Sequence, residues 1–213
     1  MAADENIAAV LLAAGLSRRM GTFKPVLPFG GVSVAEACVA SLRAAGVGEI
    51  VVVVGHRGAE VRAALAHVEG LSFAFNEVEG SEMGVSVARG VEALSEGAEA
   101  VLVALVDQPA VPPAEIKRLI EARRRTGARL VLPEWEGRGG HPILVDLSLR
   151  GELSGVVPEK GLRALFDAHR PEVLRVPAGS PYIARDMDTW EDYVRLHEEM
   201  FGAPPPGGVR PQW

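Results

Sequence analysis

The sequence predicts a three-layer α/β/α fold built on a mainly parallel sheet. Short runs of apolar, branched residues recur along the chain, segments with helical spacing fill the intervals, and glycines stand where the helical patterns stop. That alternation favours right-handed crossovers between parallel strands, with helices on both faces.

In chain order, IAAVLLA at residues 7–13, EIVVVVG from Glu49, LSFAFN from Leu71, AVLVALVD from Ala100 and ARLVLP from Ala128 read as buried strands, apolar without polar alternation. Between them Val34–Ala45, Ala59–His67, Val85–Leu94 and Ala114–Thr126 read as helices, closed by Gly46, Gly70, Gly97 and Gly127. Beyond Pro133 the spacing predicts a Gly-rich loop, a strand in HPILVD, a helix over Gly161–His169, and strands near Glu172–Val176 and Ile183–Arg185. Thr189 is placed to cap a last helix from Trp190 to about Met200, with Glu191 and Asp192 near its positive end. Residues 1–200 thus read as one domain and 201–213 as an extended Pro/Gly-rich tail.

Composition narrows the function. A length of 213 residues with 48% hydrophobic content supports one substantial core. Lys and Arg number 22 against 28 for Asp and Glu, and a net charge of −6 argues against a nucleic-acid binder, which needs a basic face. Cys38 is the one cysteine, so neither a disulfide framework nor a Cys-based metal site is expected. The first apolar run lacks a basic leader and is too short to span a bilayer, so a cytoplasmic protein without membrane association is the expectation.

The chemistry starts where the first strand ends. Leu12 leads into Ala13-Ala14-Gly15-Leu16-Ser17-Arg18-Arg19-Met20-Gly21-Thr22-Phe23-Lys24. Small residues let backbone N–H groups approach an anion, Ser17 offers a hydroxyl, and Arg18 and Lys24 supply positive charge, which together describe a triphosphate cradle. The loop is neither a Walker A loop, since Gly21 is followed by Thr22-Phe23-Lys24, nor the three-glycine dinucleotide fingerprint. Lysines occur only at 24, 117 and 160, so Lys24 is not part of a general lysine-rich surface.

The run LAAGLSRRMGTFKPVLPFGG resembles the N-terminal signature of the MobA-like NTP transferases, most nearly their molybdenum-cofactor cytidylyltransferase branch. The resemblance implies a Rossmann-like sandwich of the nucleotide-diphospho-sugar transferase type, and places phosphate binding on Gly15, Ser17, Arg18, Gly21 and Lys24. Nucleotidyl transfer needs charge neutralised on the reacting phosphates, which hard oxygen ligands holding Mg²⁺ provide. Asp107, at a strand end before Gln108-Pro109, reads alone as a turn residue; the resemblance makes it a metal ligand. Asp188, in Asp186-Met187-Asp188-Thr189-Trp190, is the second ligand by resemblance, or else a helix N-terminal acid. Trp190 stands where the family usually has proline.

Asn76 and Ser86, in a segment resembling the family's base-binding element, are candidates to read a nucleobase by neutral hydrogen bonds. Gly140 and His141, in Gly139-Gly140-His141-Pro142, resemble an element near the acceptor pocket; a histidine packed beneath the glycine turn is the alternative. His56 reads as a cleft residue or a helix cap. Ala14 in LAAG points within the family to CTP over GTP, so the resemblance implies CMP transfer to a molybdopterin-type acceptor, with a molybdoenzyme maturation partner as a candidate recipient. A sugar- or polyol-phosphate nucleotidyltransferase and a non-catalytic cofactor escort are the rivals.

Overall fold

The structure is a computed structural model that describes residues 5–78, 83–154 and 161–206. The elements are β1 (Ile7–Ala13), β2 (Pro28–Phe29), β3 (Val32–Ser33), α1 (Val34–Ala44), β4 (Ile50–Val54), α2 (Gly58–Ala64), β5 (Leu71–Phe75), α3 (Met83–Glu92), β6 (Ala100–Leu105), α4 (Pro113–Thr126), β7 (Leu130–Trp135), β8 (Arg138–Gly139), β9 (Ile143–Asp146), α5 (Arg150–Ser154), α6 (Gly161–Ala168), β10 (Val173–Pro177) and α7 (Trp190–Phe201). The large sheet runs β10-β7-β9-β6-β1-β4-β5, with β8 paired to β7, while β2 and β3 form a small hairpin of their own.

β1 lies at the centre, parallel to β4 in the register Val10↔Val51 and to β6 in the register Val10↔Val103. The period-two geometry of a strand sends alternate residues of these apolar runs to opposite faces. Ala9, Leu11, Val52 and Leu102 pack with Val39 and Leu42 of α1, Ile116 and Leu119 of α4, and Tyr193 and Leu196 of α7. Val10, Val51, Val53 and Val103 pack with Val87 and Val91 of α3, Leu153 of α5, and Leu162 and Leu165 of α6. Two cores on one sheet make the expected three layers. No helix among the described residues is long and apolar enough to cross a membrane.

The sheet is mixed. β9 runs antiparallel to both β6 and β7, so the strand expected in HPILVD returns against the parallel array. A second departure concerns Ile183–Arg185, expected as a strand. It belongs instead to a 3-10 turn at Pro181–Ala184, because Pro181 fixes φ at the turn's start and the Ser180 hydroxyl accepts from Tyr182 N–H at 3.3 Å. α3 also stops at Glu92, short of Gly97.

The caps follow the sequence closely. Ser33 caps α1 through Glu36 N–H, and Gly127 ends α4 in the left-handed conformation at φ 68°. Thr189 and Asp192 form a reciprocal capping box at the start of α7, which ends on Gly202 at φ 72°. The tail from 207 to 213 lies outside the described residues, as does Lys160.

Candidate active site

A cleft of about 660 Å³ opens at the carboxyl ends of the central strands, the place where ligands bind in sheets of this kind. Its walls come from the loop after β1 (Leu12 and Ala14–Arg18), Lys24, the end of β4 (Gly55 and His56), the end of β5 (Phe75–Val78), α3 (Met83 and Ser86), and the end of β6 (Leu105–Asp107). Two of these loops touch through backbone alone. A Cβ on Gly55 would stand 2.8 Å from Ala14 O, so only glycine lets β4 end beside the phosphate-type loop.

The loop after β1 is held in a strained shape. Ser17 adopts φ 52°, a left-handed conformation that costs a non-glycine residue of order 1–2 kcal/mol. Two hydrogen bonds offset the cost: Gly21 N–H donates to Ser17 O at 3.1 Å, and Lys24 N–H donates to Ser17 Oγ at 3.2 Å. Gly21, at φ 65°, therefore closes the loop and does not line the cleft. Ala13 likewise lies in the core at 1% exposure, behind the cleft wall formed by Leu12 and Ala14.

Lys24 ties the site together. Its side chain is buried, and its ammonium donates to Asp107 Oδ2 at 3.2 Å and to Asp188 Oδ1 at 2.8 Å. Residues far apart in sequence are thereby brought to one point. An ammonium has three donors, so a third remains for a ligand in the cleft that Lys24 lines. Burial pushes the Asp107 carboxyl up from its ordinary range; Lys24 pulls it down in part, and Asp186 and Asp188 add to the rise. Two carboxylates aimed at one cation are a donor set that fits a divalent ion with hard oxygen ligands.

Arg18 lines the cleft as expected, but Arg19 also engages the site, pairing with Asp188 Oδ2 at 2.9 Å. The twin arginine was the available signal, and only the docking of the last loop decides which arginine meets the carboxylate. Asn76 and Ser86 are both buried and bonded to each other, Asn76 Nδ2 donating to Ser86 Oγ at 2.8 Å. Asn76 Oδ1 meanwhile accepts from Val78 N–H at 3.1 Å, so the Asn76 amide shapes the cleft wall. His56 lines the cleft, and the start of α2 shows no side-chain cap.

Gly140 and His141 are placed away from the cleft walls. The His141 backbone N–H donates to Ile183 O at 2.7 Å, and burial lowers the imidazole's pKa while Asp186 opposes that shift. Next to Asp107 in the chain stands the buried Gln108, which sequence reasoning did not single out. Its Nε2 donates to Asp186 Oδ1 at 2.7 Å, and its Oε1 is the one buried side-chain oxygen among the described residues without a partner. A glutamine followed by proline carries no signal of such a role.

Residues 9–173 match the MobA-like NTP transferase domain. The chain is 29% identical over 199 residues to nicotine blue oxidoreductase of Paenarthrobacter nicotinovorans, an alignment covering 89% of this chain and 96% of that protein. Its fold matches Rv0371c of Mycobacterium tuberculosis with a TM-score of 0.80 at 30% identity, covering 92% of this chain and 100% of the other. Rv0371c has also been solved in complex with manganese; that structure matches with a TM-score of 0.77 at 28% identity, over 91% of this chain and 98% of the other. A nucleotidyl transferase from Methanothermobacter matches with a TM-score of 0.79 at 27% identity, over 92% and 98% of the two chains. With the loop after β1 and Lys24 lining the same cleft, the chain belongs to the MobA-like NTP transferase family.

Proposed function

We propose that this chain transfers a nucleoside monophosphate, CMP from CTP, to the phosphate of a molybdopterin-type acceptor and releases pyrophosphate. The observation that carries the proposal is the convergence of Asp107, from the cleft wall, and Asp188, from the turn before α7, on the Lys24 ammonium. Cation and carboxylates meet where a triphosphate seated on the loop of residues 14–18 would place its reacting phosphate. An acceptor phosphate oxygen forms a bond to the α-phosphorus in line with the departing oxygen, whose bond to that phosphorus breaks. Lys24 and Arg18 hold the charge that develops on the phosphoryl oxygens.

Asp107 and Asp188 would hold Mg²⁺, which supplies charge neutralisation on the phosphates when bound. Loop backbone amides from Ala14 and Gly15 orient the phosphates, as the small side chains allow. CTP is favoured by Ala14 on the cleft wall. The acceptor rests on the likeness of Gly140-His141 to the cytidylyltransferase branch, and His141 beside Asp186 supplies a donor for a phosphate. Hand-over of the product to a molybdoenzyme maturation partner is part of the same proposal.

Pure protein is incubated with each of the four NTPs, Mg²⁺ or Mn²⁺, and molybdenum cofactor or a sugar phosphate. Pyrophosphate release that requires CTP and the pterin is expected, and Asp107→Asn should lower kcat by about 10²-fold or more with the fold retained. Unchanged turnover in that variant refutes the metal assignment. A second reading is favoured by the likeness to nicotine blue oxidoreductase. Reduction of nicotine blue coupled to oxidation of a supplied electron donor, without pyrophosphate release, would support it, and tight binding without any turnover would support an escort.

A further inference from the structure

The cleft is chemically two-ended. One end carries Gly15, Ser17, Arg18 and Lys24; at the other, Phe75, Val78 and Met83 line the wall with 47%, 57% and 43% of their surfaces exposed. These are three of the six large hydrophobic residues so exposed among the described residues, gathered on one concave surface. An apolar surface left in water inside a cleft is stabilised when a ligand covers it.

Phe75 is the part of that surface built to receive something flat. It ends the edge strand β5, opposite Val54 of β4. From behind, α2 supports the ring: a Cβ on Gly58 would lie 3.3 Å from Phe75 Cε1, and the Arg62 guanidinium sits 5.9 Å from the ring centroid. The bonded pair Asn76 and Ser86 stands next to it, fixing the strand end from which the ring projects. A supported aromatic ring beside neutral polar groups is a surface on which a planar heteroaromatic ring stacks.

We infer that Phe75 is the stacking platform for the base of the bound nucleotide, with Met83 completing the apolar wall. The ligand this cleft takes is then a planar heteroaromatic ring joined through a spacer to a polyphosphate. The inference rests on the proposed reading of the cleft as an NTP site, and adds the residue that selects nucleotides over bare polyphosphate.

Binding of CTP and of inorganic tripolyphosphate to the full chain, measured by calorimetry, separates the two ends. Phe75→Ala is expected to weaken CTP binding about tenfold, the order of one base-aromatic stack, and to leave tripolyphosphate within about twofold. Phe75→Trp should restore the CTP affinity. The inference is overturned if Phe75→Ala binds CTP like the parent, if it loses both ligands equally, or if the parent binds CTP no more tightly than tripolyphosphate. Tight CTP binding by the parent without pyrophosphate release sinks the transfer reading alone and leaves the platform standing.

Discussion

Lys24 shows how much one side chain can decide. Its ammonium is the common partner of Asp107 and Asp188, so Lys24→Met leaves two carboxylates near each other with only Arg19 to offset one of them. Turnover should fall by about 10²–10³-fold in a pyrophosphate-release assay, and a variant retaining a tenth of the parent rate would contradict the role given to the ammonium. Gln108 makes a contrasting case. Gln108→Leu removes the bond to Asp186 but also removes an oxygen that has no partner, so stability should stay within about 1 kcal/mol of the parent. Gln108→Glu sets a carboxylate against Asp186 and should cost about 2 kcal/mol or more, and denaturant midpoints would compare the two. Lys24 could be read from the chain because it stands in a run whose chemistry is local, whereas Asp107 alone reads as a turn residue and is a candidate only through the family resemblance. Arg19 and Gln108 could not, since their partners arrive from a segment docked by tertiary packing.

Elements meet at fixed distances, and α3 is the clearest instance. Gly90 faces the sheet so closely that a Cβ would stand 2.9 Å from Val53 Cγ2 and closer still to Val10. Gly90→Ala therefore forces α3 off β1 and β4, and thermal unfolding should show a loss of about 1–3 kcal/mol, more than offsetting alanine's better helix propensity. Just after α6, protonated His169 donates through Nε2 to Glu152 of α5 and through Nδ1 to Glu172, the latter also paired with Arg129. Hydrogen bonds to Glu152 and then Glu172 raise the imidazole's pKa. A raised folded-state pKa means the stabilisation is present below the unfolded value of about 6.5 and fades as pH rises through the folded one. His169→Gln should lower the melting temperature at pH 5.5 and change it little at pH 8.5; an equal drop at both would refute the linkage. Strands and helices were legible because apolar period and glycine stops are local properties. The direction of β9 was not, because its four residues read the same whether they run with their neighbours or against them.

Across the whole molecule, charge is distributed by task. The cleft holds its cations at one end, while a separate ion cluster secures the opposite end of the sheet. Arg123 of α4, 6% exposed, pairs with Glu5 at 2.6 Å and with Asp146 of β9 at 2.6 Å, and donates to Ala128 O at 2.9 Å. Arg123→Met should cost about 2–4 kcal/mol by leaving two partly buried carboxylates without their partner, which chemical denaturation would measure, and should leave turnover per folded molecule unchanged. The three-layer plan was readable from alternation alone, as the two valine faces of β4 illustrate. Which functional residues share a cleft was readable only in part: the loop after β1 and Asp107 lie at strand ends, whereas Asp188 reaches Lys24 from the turn before α7.

That last contact spans 164 positions of the chain. A ribosome must therefore deliver the chain at least as far as residue 188 before Lys24 meets Asp188, although β1, β4 and β6 are made much earlier. Chains stalled ahead of residue 188 can collapse around their valine-rich centre yet lack that ion pair, which requires α7 and the turn before it to dock on the hairpin at Pro28, where Tyr193 Oη donates to the carbonyl at 2.6 Å.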